Sequence, residues 1–308
     1  MYHIIINPAS RSGKGIRLWK EKVEPALNSE HVEYTPYFSK RAGDVARISK
    51  QILANNPENP IYVIILGGDG TVNEFLQELD DTSRVILGYI PTGSSNDLAR
   101  DLHIPKDQLK ALDLILHTGT PHPMDIGTVI SKEGISRKFA VSCGIGFDAA
   151  VCEETLRSKF KAVMNKLGLG KLSYLGIALK QLFAAKKISA RIYVDRNEPV
   201  EIENMLFTVG MLHRYEGGGF MFSPNADSND GLVDFCAVGD VSKLLILFAL
   251  PTAFIGKHYM FKGITPYRAE KVTIETNAPM WFHTDGEVLG KSTSLTITNK
   301  ASAIQMLY

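Results

Sequence analysis

The chain has 308 residues, 44 % hydrophobic and 22 % charged, enough for two domains and a sizeable core in an ordinary globular protein. Its 34 Lys and Arg against 33 Asp and Glu leave a net charge of +1, which excludes the basic character that nucleic-acid binding needs. Three cysteines, Cys143, Cys152 and Cys236, are odd in number and lack CxxC spacing, as suits a reduced, cytoplasmic protein. The opening MYHIIINPAS is too short for a signal peptide or a membrane span. The apolar run 244–255 is broken by Pro251 and is also too short to span, so membrane contact would be peripheral.

In chain order, the first 120 residues alternate strand and helix patterns. Strands are predicted at 2–6, 32–38, 61–66 and 85–90. Helices are predicted at 17–27, through Val45, Ile48 and Ile52, after residue 70, and near 96–102 and 108–117. Such alternation predicts an α/β, Rossmann-like nucleotide domain with a parallel sheet and its ligand edge at the strand C-termini. Beyond Met124, strand patterns at 126–130, 138–142, 190–194, 205–211, 232–238, 271–275 and 294–298 predict a β-rich domain. Helix patterns near 149–167, 172–186 and 243–255 interrupt them. The expected division is residues 1–125, with about 295–308 returning to it, and a β-sandwich over 126–294, with the active cleft between.

The most informative run is IYVIILGGDGTVNE, 61–74. A β-branched strand ends in Gly67, Gly68, Asp69, Gly70 and Thr71, and Val72, Phe75, Leu76 and Leu79 then follow at helical spacing. Free N–H groups and the helix dipole at such a turn favour phosphate. Asp69 would repel phosphate unless a metal lies between them or it handles a proton, so the turn points to a nucleotide with Mg²⁺. Four further segments stand at comparable places. They are Asn7-Pro8 followed by SRSGKG (10–15), PTGSSNDLAR (91–100), CGIGFD (143–148), and NADSNDG (225–231) with HTDGE (283–287). The first of these, around Gly13-Lys14, is not a Walker A loop, because Pro8 and Gly15 stand where a glycine and a Mg²⁺-binding hydroxyl belong.

The ordered set NPxxxxG, GGDGTxNE, PTGSSNDLAR, GIGFDA, NADxxDGLVD and DGE resembles the bacterial diacylglycerol-kinase-type lipid kinases, relatives of the diacylglycerol and sphingosine kinase catalytic domains. The likeness runs over nearly the whole chain. It implies that ATP is held by Asn7, Ser12, Gly13, Ser39, Gly67, Gly68, Asp69, Gly70, Thr71, Asn73 and Ser94. It also implies Glu287 as general base, with Asp69, Asp97 and Asp125 organising Mg²⁺ and water. Asp227, Asp230 and the Leu232 carbonyl match a second, structural Mg²⁺ site. The family often has threonine at the place of Ser94, where the hydroxyl is kept, and the position of Asp227 varies in type.

On their own terms these residues have plainer readings. Asp97 suits the first turn of any helix, Asp125 suits a strand end, and Asn229-Asp230-Gly231 and Asp285-Gly286 suit hairpin turns. The activity implied is transfer of the γ-phosphate of ATP to a lipid hydroxyl, diacylglycerol first. A soluble-metabolite kinase of the NAD kinase type and a non-catalytic nucleotide-binding regulator are the alternatives. The basic, amphipathic stretch 157–187, with Arg157, Lys159, Lys161, Lys166, Lys171, Lys180, Lys186 and Lys187, suits either anionic headgroups at the inner face of the membrane or two core-facing helices. An exposed edge of the β-rich domain would suit a homodimer.

Overall fold

The computed structural model describes residues 1–57, 60–79, 81–157, 170–186, 188–195 and 197–308. The chain opens with four strands, β1 (Tyr2–Ile6), β2 (Tyr34–Phe38), β3 (Ile61–Gly67) and β4 (Val85–Pro91). They lie in the order β4-β3-β1-β2, each neighbour parallel. Helices Ser10–Leu18, Asp44–Asn55 and Asp69–Gln77 connect them. The apolar faces read from the sequence, Val45, Ile48 and Ile52 on one helix and Val72, Phe75 and Leu76 on another, are buried with Ile4, Ile5, Ile64 and Ile65 in one core. Residues 10–15 wind into the first turns of the Ser10–Leu18 helix and do not form a free loop.

Nine more strands follow: β5 (Pro121–Ser131), β6 (Ser136–Phe139), β7 (Ser142–Gly146), β8 (Ile188–Val194), β9 (Val200–Met211), β10 (Val233–Gly239), β11 (Ile264–Ala269), β12 (Lys271–Thr284) and β13 (Glu287–Leu307). A second core gathers Phe139, Ile145, Ile192, Phe235, Ile274 and Phe282 from them. A self-contained Rossmann-like parallel sheet is not what this chain builds. All thirteen strands share one network, and apart from β1–β4 and the end of β13, the pairings among described residues are antiparallel.

The join is β13, 21 residues long. It leaves the two-residue Asp285-Gly286 turn paired with β12, runs against β5, and ends with Gln305 and Met306 parallel to Ile86 and Leu87 of β4. Both turn residues have positive φ, 47° and 81°, as a type I′ hairpin requires. One strand therefore links the hairpin bearing Glu287 to the sheet bearing the glycine turn.

The strand expected at 138–142 is split between β6 and β7. The N–H groups of Ala140, Val141 and Ser142 all donate to the Asp285 carboxylate, at 2.9 Å each, which takes them out of any ladder. Helices Phe147–Arg157, Gly170–Ala184 and Lys243–Ala253 stand where helix patterns were read. Of the basic stretch, residues 158–169 and 187 lie outside the described residues. No described helix is long and apolar enough to cross a membrane.

Candidate active site

The parallel strands bring four connections to one edge. Beyond β1, the Asn7 N–H donates to the Leu66 carbonyl at 3.0 Å; beyond β2, the Ser39 N–H donates to the Ile6 carbonyl at 3.0 Å. The Thr92 N–H, beyond β4, donates to the Gly67 carbonyl at 2.7 Å. Side chains lace the same edge. Asn7 Nδ2 donates to Thr71 Oγ1 at 3.1 Å, and the hydroxyls of Ser10 and Thr92 meet at 2.8 Å. Gly68 and Gly93 touch across it: a Cβ on Gly93 would stand 2.8 Å from Gly68 Cα. Exposed Ser94 borders the edge, and Gly13 follows it with φ of 87°. The Ser12 side chain lies outside what the structure describes.

Two carboxylates meet at the mouth of these turns. Asp69, at the N-terminus of its helix, accepts the Asp97 N–H at 2.8 Å and the Tyr89 hydroxyl at 3.3 Å. Burial, then the nearby charge of Asp97, push its carboxyl up to about 7. Asp97 accepts the Gly218 N–H at 2.8 Å, and burial raises its carboxyl too. Its Oδ1 is buried with no hydrogen-bond partner, 3.9 Å from the Arg100 guanidinium. Two adjoining acids, one held near neutrality and one with an orphaned oxygen, form a donor set that fits a divalent cation.

Glu287 comes to the same place from the other half of the chain. It is exposed, and its Oε1 lies 3.6 Å from where a Gly70 Cβ would be. Between them opens a cleft of about 610 Å³ lined by Gly70, Glu287, Arg47, Lys50 and Arg137 among others. Glu74 and Glu78 line the same cleft, where Lys50 pairs with Glu78 at 3.2 Å and Arg47 with Asp44 at 3.5 Å. A glycine turn at a helix N-terminus with a facing carboxylate can hold a phosphate group and take a proton beside it.

Three groups of expected site residues have structural partners in the fold. Asn73, expected on the nucleotide, is fully buried: Nδ2 donates to the Lys138 carbonyl and to Asp285, and Oδ1 accepts from Arg137. One turn along its helix from Asp69, it ties that helix to the hairpin. Asp125, fully buried, accepts from Gly231 N–H (2.8 Å), Asn299 Nδ2 (2.7 Å) and Ser302 N–H (2.8 Å), so it clamps the 225–231 loop instead of acting as a free acid. At the expected second metal site, Asp230 pairs with Arg268, whose Nε also lies 3.3 Å from Asp234. Asp227 accepts its own loop's Asn229 N–H, and the Leu232 carbonyl accepts from Asn299. The Arg268 guanidinium supplies positive charge beside Asp230 and Asp234. Among described residues there is no group of three or more His, Cys, Asp and Glu that could hold one.

Sequence reasoning missed two latches. Asp101 Oδ2 sits 2.8 Å from His213 Nδ1 and its Oδ1 accepts from Arg214 Nε at 2.6 Å, tying the Asp97–Asp101 helix to the segment after β9. Beneath the DGE turn, buried His283 Nε2 lies 3.0 Å from Asp148 and 3.5 Å from Glu216. Burial alone would lower its pKa; the bond to Asp148 and the charges of Glu216 and Asp148 carry it up to about 9. Burial pushes Glu216 up to about 7. The Gly286 N–H lies 3.2 Å from His283 Nδ1, a bond only the neutral ring accepts. Two carboxylates within 3.5 Å outweigh that single backbone donor. Asp148 stood in a motif with no role assigned to it, and nothing near His213 in the sequence marks it.

Residues 1–129 match the family model of the diacylglycerol kinase catalytic domain, and residues 141–307 match the YegS C-terminal NAD kinase beta sandwich-like domain. The chain is 31 % identical to a diacylglycerol kinase of Mycobacterium tuberculosis, over 69 % of this chain and 66 % of that one. It is 28 % identical to a diacylglycerol kinase of Bacillus subtilis, over 93 % and 89 %. A crystal structure of a Bacillus anthracis diacylglycerol kinase superposes with a TM-score of 0.72 at 21 % identity, covering 100 % of this chain and 96 % of that one, a likeness of fold.

Proposed function

We propose, on the premise that the chain belongs to the diacylglycerol-kinase-type family of lipid kinases and is a phosphotransferase with an alcohol group as acceptor, that it transfers the γ-phosphoryl group of ATP to a lipid hydroxyl in a Mg²⁺-dependent reaction. Diacylglycerol, giving phosphatidic acid, is the first choice of acceptor. The observation carrying this reading is the approach of Glu287 to Gly70: a base beside a phosphate-binding turn.

Asn7, Ser39, Gly13, Ser94 and the turn from Gly67 to Thr71 would cradle the nucleotide at the sheet edge, with Arg47, Lys50 and Arg137 around its phosphates. Asp69 and Asp97 would hold Mg²⁺, which when bound neutralises charge on the phosphoryl oxygens. Glu287 would accept the proton of the lipid hydroxyl, and the Asp285 turn holds it in place. The division of labour would follow the expected domains, 1–125 with the returning 295–308 for ATP and 126–294 for lipid. The same reading puts the protein in the cytoplasm, peripherally on the inner membrane face.

Incubating the protein with ATP, Mg²⁺, NAD and a total lipid extract, then identifying phosphorylated product by mass spectrometry, tests this. Phosphatidic acid supports the reading. Phosphorylated NAD with no lipid product would replace it with the soluble-metabolite alternative.

A further inference from the structure

The Lys243–Ala253 helix has two apolar faces. Ile246 and Ala249 are buried in a core with Phe207, Val209 and Val238, and Ala253 is buried on the same side. Leu244, Phe248 and Pro251 form the opposite stripe at helical spacing, and Ile255 continues it. Leu244 is 62 % exposed, Phe248 70 %, Ile255 63 % and nearby Met260 74 %. A helix apolar all round is ordinarily enclosed on every side, and a cluster of large exposed apolar residues marks a surface that meets something apolar.

Basic residues predominate along the segment that carries this face, with Asp240 and Glu270 at its two ends. From 241 to 269 the chain carries Lys243, Lys257, Lys262 and Arg268 and no Asp or Glu. Arg268 is spent on Asp230 and Asp234, whereas Lys257 and Lys262 are exposed. Lys243 Nζ donates to the carbonyls of Phe183 and Ala185, which brings half-exposed Phe183 to the edge of the face.

The face also connects inward. Phe254 stacks on Phe220 at 4.1 Å between centroids, and Phe220, Phe222, Phe207 and Phe147 succeed one another at 5.7, 6.1 and 5.9 Å. Phe147 adjoins Asp148, under the DGE turn. Two residues before Phe220, the Gly218 N–H binds Asp97. One loop thus touches both the apolar face and the paired carboxylates.

We propose that this face docks on a bilayer containing anionic phospholipid. Leu244, Phe248, Phe254, Ile255 and Met260 enter the interface, Lys257 and Lys262 meet headgroup phosphates, and the packed row of phenylalanines couples the docked face to the site. The proposal rests on the lipid-kinase reading for its purpose, and docking is measurable apart from catalysis.

The test is flotation of the intact protein with phosphatidylcholine vesicles, with and without phosphatidylglycerol. The wild type is expected to float with the anionic vesicles. Leu244→Glu and Phe248→Glu should each weaken partitioning about tenfold or more, because a buried apolar side chain is exchanged for a charge. Lys257→Ala and Lys262→Ala should each weaken it about fivefold, on anionic vesicles alone. Leu109→Glu, at an exposed leucine on another helix, should float like the wild type. Flotation unaffected by both glutamates, or by both lysine variants, overturns the proposal. So does a dimer in sedimentation velocity that Phe248→Glu dissociates while wild-type protein ignores vesicles, which would give the face to a second copy of the chain. Wild-type activity on a short-chain, monomeric diacylglycerol tests the kinase reading alone: no activity with flotation intact removes that reading and leaves the docking surface standing.

Discussion

Asn73 Nδ2 donates to Asp285 Oδ2 at 2.8 Å across 212 residues of sequence. The same carboxylate accepts three successive N–H groups from Ala140, Val141 and Ser142. One aspartate in a hairpin turn thereby fixes the helix that begins at Asp69, the break between β6 and β7, and the residue two places on, Glu287.

Replacing Asp285 by Ala leaves those donors unanswered. The expected cost is about 3 kcal/mol or more of stability, since each orphaned buried donor costs about 1 kcal/mol or more. Kinase activity should fall further than stability accounts for, because the turn that aims Glu287 loses its anchor. Urea denaturation beside an activity assay at a temperature where the variant is folded checks both.

The buried His283 sets a pH dependence. Its folded pKa, about 9, is above its ordinary 6.5, so it contributes stability in full below pH 6.5 and loses it as pH rises through 9. Glu216, raised from 4.5 to about 7, is also most stabilising when protonated, but its contribution falls away earlier, between pH 4.5 and 7. Because His283 itself holds the Glu216 carboxyl down, melting temperatures with His283 kept and with His283→Gln, both in a Glu216→Gln background, between pH 7 and 9.5 isolate the histidine. The chain that keeps His283 should lose stability over that range more steeply than the His283→Gln chain, and parallel curves would refute the assignment.

Asp101 holds His213 and Arg214 from the other half of the chain. Those two bonds carry its carboxyl below the usual range despite burial, which opposes them. Asp101→Ala strands a buried partner and should cost about 3 kcal/mol. Asp101→Asn should cost less, because it keeps a hydrogen bond to Arg214. Equal losses for the two would show that the charge dominates.

Gly93→Ala places a methyl group 2.8 Å from Gly68 Cα, between the two turns proposed to hold ATP. Forcing them apart costs about 1–3 kcal/mol. The KM for ATP should rise several-fold with kcat for the lipid less affected; an unchanged KM would remove this edge from the nucleotide site.

The turn at Gly67–Thr71 was legible because each of its parts is local: a β-branched strand, glycines, then a helical stripe. The same holds for Val72, Phe75 and Leu76, which the structure buries as their spacing says. What escaped has distant causes. The β6–β7 break depends on a carboxylate 145 residues from Ala140, and local propensity at 138–142 reads only strand. Asn73 sits in the glycine motif, and its tie to the hairpin appears only when the helix has a neighbour to face. The pairing of Asp230 with Arg268, 38 residues on, has no local signal. The return of 295–308 to the first domain was expected, but the same strand's antiparallel pairing with β5 and β12, which merges the two sheets, is contained in no window of residues.

In the proposed reaction Glu287 accepts a proton beside the glycine turn, so the decisive measurement is phosphoryl transfer from labelled ATP into organic-phase lipid by wild type and Glu287→Gln. Because Glu287 is exposed, the variant should melt with the wild type while transfer falls by about 10²–10⁴-fold, the range for a lost general base. Transfer within a few-fold of wild type, in a variant that is folded and binds ATP, would contradict the account.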